Sequence, residues 1–252
     1  MPRVADDIQN ITYKGEPVKF CTAIHASNPS DSCSTTLSVT LGLALESDRR
    51  LQNDLRVGCL EAYIIDRTYR YKVDSRLHAC ATEEENGVTE TKKCLRNVYN
   101  AKGEPRLDAK DLDSDIINFV SYFEIFSDFR GGQGFAQTAM KGFFEAMKKL
   151  PAHFGRSNLL ILSPAPIVSA TEEKGGDLTK ISNKEWQDIL EKIIASYEKS
   201  GFKLWKRGAV DRKWTISVMG SCFLLDNSRP PLHFNDSRHW TELSERKSLN
   251  RQ

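Results

Sequence analysis

Three glycines fall within four positions, Gly131, Gly132 and Gly134, and a run of long apolar and amide side chains follows them. The stretch reads FRGGQGFAQTAMKGFFEAM, Phe129 to Met147. A chain that turns through glycines into a helix offers free backbone N–H groups at the helix start, where the helix dipole adds partial positive charge. Such an arrangement binds phosphate without needing a lysine. Glycine matters there because a Cβ would hold the phosphate away and forbid part of the dihedral range. Arg130 supplies a cation beside the loop, and Gln133 supplies a backbone N–H as well as an amide.

Two common phosphate loops fail against these residues. A Walker loop closes with Gly-Lys-Ser/Thr, whereas this one closes with Gly134-Phe135-Ala136. A dinucleotide fingerprint needs a third glycine where Gln137 stands, and an acidic residue at the end of the next strand, where Ser163 stands.

Other candidates flank the loop. Tyr122 and Glu124 alternate on the stretch IINFVSYFEIF, so they share one face if it is a strand. A carboxylate in an otherwise apolar strand is a candidate base; an edge or solvent-facing glutamate is the alternative. Tyr197 follows Leu190, Ile193 and Ile194 at helical spacing, which suits either a proton donor or a core aromatic. The five histidines match no motif. The six cysteines form no CxxC pair and have no histidine at zinc-finger spacing, so free thiols and no metal are expected.

These side chains need elements to hold them. Strands are expected at Val18–Ala26, over TLSVTLGLAL, at Leu55–Asp66 with Gly58 as a bulge, at Ile116–Phe126 and at Leu159–Leu162. FKLWK and KWTISVMGSCFLL read as two last strands, joined through RGAVDR. Ala136, Met140, Phe143, Met147 and Leu150 mark one helix face, closed by Pro151. Asn183–Ser200 reads as a second helix ended by Gly201, and residues 73–98 as one or two more, broken at Asn86-Gly87. The segment before Val18 shows no clear pattern, 164–182 reads as a long loop, and 226–252 as a polar tail. The order predicts an α/β fold with a mixed, mostly antiparallel central sheet flanked by helices, as one domain over 1–225.

Composition narrows the classes. The 252 residues carry a net charge of +2, so no global basic field draws nucleic acid. No run of about 18 apolar residues is present, which predicts no membrane span. The N-terminus MPRVADDIQN lacks the apolar core of a signal peptide, so an intracellular, cytoplasmic protein is expected.

The glycine loop resembles the acyl-coenzyme A pyrophosphate loop of the GNAT acetyltransferase superfamily, Gln/Arg-x-x-Gly-x-Gly/Ala. Gly134-Phe135-Ala136 matches its second half and Phe129-Arg130 its lead-in. The arginine stands one place early, and Gly131 occupies the Gln/Arg position. Downstream, Tyr197-Glu198-Lys199-Ser200-Gly201-Phe202 is similar to the superfamily's Tyr-Glu-Lys-x-Gly-Phe signature. The two matches span about Ile116 to Lys206, and the N-terminal half is reminiscent of fungal members.

The resemblance implies a GNAT-like acyl-CoA-binding fold. It implies transfer of an acetyl or other acyl group from acyl-CoA to a primary amine, by direct attack in a ternary complex. Tyr197 would be the acid, and Glu124 with Tyr122 would serve the base side. Ile125, Phe126, Arg130, Gly131, Gly132, Gln133, Gly134, Phe135 and Ala136 would hold the cofactor. A small amine is the expected acceptor, with no nucleic-acid or membrane partner. A protein lysine or N-terminal acetyltransferase and a non-catalytic CoA-binding interaction module remain open.

Overall fold

The computed structural model describes residues 1–27, 34–45, 55–66, 93–100, 104–107, 112, 114–130, 134–151, 154, 157–165, 181–208 and 217–222. Ten elements make up the frame: β1 (Arg3–Tyr13), β2 (Glu16–Ala26), β3 (Ser34–Leu45), β4 (Leu55–Asp66), β5 (Ile116–Ile125), α1 (Phe135–Lys148), β6 (Leu159–Leu162), α2 (Asn183–Lys199), β7 (Lys203–Lys206) and β8 (Val218–Cys222). The strands form one open sheet in the order β1-β2-β3-β4-β5-β6-β8-β7. Only β5 and β6 run parallel; the other neighbours are antiparallel. The fold is therefore α/β with a mixed, mostly antiparallel sheet, although helix covers it only modestly among the described residues.

Alternation assigns each strand residue to a face. Phe20, Ile24, Leu37, Val39, Leu41, Leu60, Ala62 and Ile64 line one side and are almost wholly buried. Helix α1 lies there because Phe135, Ala139, Met140, Phe143, Ala146 and Met147 repeat at helical spacing and are buried. Helix α2 joins the same core through Leu190 and Ile194, four residues apart, and also buries Trp186 one turn earlier. Its start is fixed by a capping box between Ser182 and Glu185, and its end by Gly201 at φ 90°. The opposite face carries a second core. Ile65, Ile117, Phe119, Ile161 and Val218 meet Cys94, Leu95, Val98 and Tyr99 of a short helical segment at 93–98 and the residue after it.

Strand β1 lies in the segment that shows no clear pattern. Its inward face carries Asp7 and Gln9 where alternation would demand apolar residues. Asp7 is paired with Lys149 at 2.9 Å, and the Gln9 amide donates to the Thr138 carbonyl of α1 at 3.0 Å. Helix α1 thus satisfies polar groups that disguise the strand. A two-residue turn, Lys14 at φ 51° and Gly15 at φ 86°, leads into β2. The expected helical break at Asn86-Gly87, the loop 166–180 and the tail 226–252 lie outside the described residues.

Gly58 anchors the next strand pair. A Cβ placed on it would stand 2.2 Å from the Glu124 carbonyl oxygen and 3.2 Å from the Ile125 Cα. Both are backbone atoms, so no rotamer change relieves the clash. Gly58→Ala is expected to lower unfolding stability by about 2–3 kcal/mol, near the upper end for overpacking. The midpoint of urea unfolding reads it; an unchanged midpoint would mean that β4 and β5 part easily at this point.

Candidate active site

The site begins with an irregularity in β5. Glu61 of β4 pairs with Tyr122, and the next residue, Ala62, pairs with Val120. Ser121 is therefore an extra residue, a β-bulge that reverses the alternation. Before it, Val120 faces the α1 core and Phe119 the opposite core. After it, Phe123 and Ile125 belong to the α1 side. Tyr122 and Glu124 consequently come out together on the other side, as their spacing predicts.

These two residues are bonded to each other. The Tyr122 hydroxyl donates to Glu124 Oε2. Arg130 Nη2 donates to Glu124 Oε1 at 2.6 Å, and Arg130 Nε to the Ile125 carbonyl at 2.6 Å. The expected cofactor cation and the expected base thus form one ion pair, with Glu124 the more buried partner at 11% exposure against 27% for Arg130. A charge-assisted contact of this kind holds both groups in fixed positions. It also ties the loop that starts at Arg130 to the end of β5.

The parallel pair then opens. Strands β5 and β6 are hydrogen-bonded only over Asn118–Val120 and Leu160–Leu162. Strand β5 runs on to Ile125, while the chain after Leu162 leaves the ladder through Ser163 and the buried Pro164. Proline has no N–H to continue the ladder. Beyond the bulge, β5 has β4 as its strand partner but none on the β6 side among the described residues.

Helix α1 starts beside the end of β5. Gly134 is its N-cap at φ 69°, and no side chain caps the helix among the described residues. A residue with a Cβ would be strained there. The Phe135 and Phe129 rings meet edge-on at 5.9 Å and close the base of the loop. Tyr13 and Phe20 pack against Phe135 from β1 and β2, with centroids at 5.5 and 5.9 Å. Ala136 occupies the first helical turn. Gly131, Gly132 and Gln133 lie outside the described residues. Ile125 is buried, and Phe126 lies under the Arg56 guanidinium at 5.5 Å, its N–H donating to the Val57 carbonyl at 2.8 Å.

Tyr197 reaches the same region from α2. Its ring lies 6.3 Å from Phe123 and 5.6 Å from Phe202. Burial pushes its hydroxyl well above the ordinary tyrosine value, so it stays a phenol, and a donor, at neutral and mildly alkaline pH. Phe123 thus connects Tyr197 on one side of the sheet with Tyr122 and Glu124, its sequence neighbours, on the other.

Two residues near this site escaped the sequence. Cys59 stands opposite Glu124 in the β4–β5 ladder. Burial pushes its thiol up, Arg56 pulls the other way, and Glu124 and Glu61 add to the rise. Neither Cys59 nor Arg56 belongs to a motif; the pairing register reveals the first, and the second shows itself by its contact with Phe126 and its pull on Cys59. Because the folded thiol resists ionisation, its contribution to stability is intact below pH 9 and is lost as pH rises beyond it. Iodoacetamide labelling of Cys59, followed by peptide mass spectrometry, is expected to rise with pH to a midpoint above 9. Glu124→Gln should move that midpoint down; a midpoint below 9 in the native chain would contradict the buried, carboxylate-flanked position.

Among the described residues, no cluster of three or more His, Cys, Asp or Glu side chains is placed to hold a metal. No described helix is long and apolar enough to cross a membrane. No family model, curated protein or solved structure matches the chain.

Proposed function

We propose that this chain is a GNAT-type N-acyltransferase that moves an acetyl group, or another acyl group, from acyl-CoA to the primary amine of a small molecule. One observation carries the reading: a glycine-capped helix start and a half-buried tyrosine pack into one core on the same side of the sheet, where two parallel strands part after three residues. The pyrophosphate sits at the N-terminus of α1, where Phe135 and Ala136 offer backbone N–H groups. The pantetheine arm is itself an amide chain, and it would run where β5 and β6 part beyond the bulge.

The reaction needs a neutral amine. Its nitrogen attacks the thioester carbonyl, a C–N bond forms and the C–S bond breaks. The amine's proton leaves by a water path around the end of β5 to Glu124 and Tyr122, which lie across the strand from Tyr197, and Tyr197 supplies a proton to the departing thiolate. Bringing amine and thioester together in one complex removes the cost of a bimolecular encounter. Arg130 acts here through Glu124, whose carboxylate it holds. An acyl-CoA co-substrate also implies work inside the cell, in the cytoplasm.

Calorimetry with acetyl-CoA, followed by thiol-release assays against a panel of small amines and lysine peptides, tests the reading. Micromolar binding with turnover of small amines is the expected result. Turnover confined to peptides would make it a protein acetyltransferase. Binding without turnover of any amine would make it a CoA-binding module, and no binding of any acyl-CoA would overturn the reading.

A further inference from the structure

The sheet is open, and its two edges are unlike each other. Strand β7 is short, Lys203–Lys206, and begins and ends with exposed lysines. Short strands with charged ends resist pairing with another chain. Strand β1 is long, Arg3–Tyr13, contains no proline, and pairs without interruption with β2 from Ala5 to Tyr13. No described strand pairs with its outer side. At its centre Ile8 is 45% exposed, one of few large apolar side chains that the described surface shows.

The residues around Ile8 are complementary to themselves. Two copies of a strand related by a two-fold axis through the sheet pair antiparallel, and residues directly opposite share a face. A symmetric register must then be centred on one residue. Centred on Asp7, the pairing sets carboxylate against carboxylate. Centred on Gln9, it sets Asp7 against Ile11 and Ile8 against Asn10. Centred on Ile8, it sets Ile8 against Ile8 and Ala5 against Ile11, with Asp7 against Gln9 and Asp6 against Asn10. Apolar side chains then meet apolar ones, and each carboxylate meets an amide that can donate to it. Like charges do not meet.

Helix α1 leaves room for this. It covers only the inner face of β1, where Gln9 bonds to Thr138 and Asp7 to Lys149. Lys149 Nζ also touches the Asp6 carbonyl at 3.0 Å; its long stem lets it keep Asp7 while a strand amide takes that carbonyl.

We propose that the chain forms a two-fold symmetric dimer through β1, with Ile8 of one copy opposite Ile8 of the other, so that the sheet continues across both copies. The edge supplies backbone hydrogen bonds, and the register supplies the choice of partner. The site at the end of β5 lies four strands away and stays open in each copy.

Sedimentation equilibrium and a cysteine cross-link test the dimer together. The wild-type chain is expected at twice its mass of 28.5 kDa, and Ile8→Lys at the single mass with an unchanged circular dichroism spectrum. Opposite residues of an antiparallel pair have Cα atoms about 4.5–5.5 Å apart, within disulfide reach. Ile8→Cys should therefore give a covalent dimer under mild oxidation, beyond the background of the wild-type chain with its six cysteines. Asn10→Cys should not, because it faces Asp6. A wild-type monomer at every concentration overturns the proposal. So does a dimer that Ile8→Lys leaves intact, or one in which position 10 cross-links and position 8 does not.

Discussion

Gly134→Asp is expected to weaken acetyl-CoA binding by about 100-fold or more while leaving the fold in place. The two halves of that result have separate causes. Gly134 adopts φ 69°, which costs most L residues about 1–2 kcal/mol but aspartate and asparagine less. Its Cβ would meet only the Gln137 Oε1 atom, at an ordinary 3.5 Å. Aspartate is also a favoured N-cap, and its charge suits the helix start. These effects offset one another, so stability should change by no more than about 1 kcal/mol.

Binding has no such offset. The carboxylate takes the N–H groups offered to the phosphates and repels what remains. Losing a single charge-assisted hydrogen bond, at about 1.5–3 kcal/mol, already corresponds to about 10-fold to 150-fold in affinity. Gly134→Asn separates charge from bulk, because it has nearly the same shape and no charge; it should lose far less. Calorimetry on the three proteins decides the matter. If aspartate binds acetyl-CoA as well as glycine does, the pyrophosphate does not sit at this helix.

Much of the frame was legible because it obeys simple periods. Strand β4, Leu55–Asp66, and the short β6, Leu159–Leu162, stand where composition put them, and both helices start and end within two residues of expectation. Strand β1 escaped because its inward positions carry Asp7 and Gln9, whose partners Lys149 and Thr138 are more than a hundred residues away. No local pattern can announce such a partner. Within the site, the shared face of Tyr122 and Glu124 was legible from their spacing. The ion pair between Glu124 and Arg130 was not, because it depends on how the chain turns after Phe126. The bulge at Ser121 is likewise a property of the β4–β5 register, and Cys59 opposite Glu124 follows from the same register.

Tyr197→Phe should lower kcat by about 100-fold, within the usual range for a lost acid, with little change in the KM for acetyl-CoA. The ring contacts to Phe123 and Phe202 survive in phenylalanine, so packing is kept and only the hydroxyl goes. The wild-type rate should show no fall from Tyr197 as pH rises toward 10, because burial holds the phenol protonated beyond the ordinary tyrosine range. The same burial marks stability. Above pH 10 the unfolded chain releases a proton that the folded chain keeps, so the tyrosine's contribution is whole below pH 10 and is lost as pH rises beyond it. Tyr197→Phe removes that loss, and its stability should fall less steeply above pH 10 than the wild type's. The two measurements separate the roles. A kcat deficit together with the flatter alkaline limb assigns Tyr197 to proton donation from a half-buried position. A flatter limb with unchanged kcat would leave it a core aromatic and return the leaving thiolate's proton to solvent.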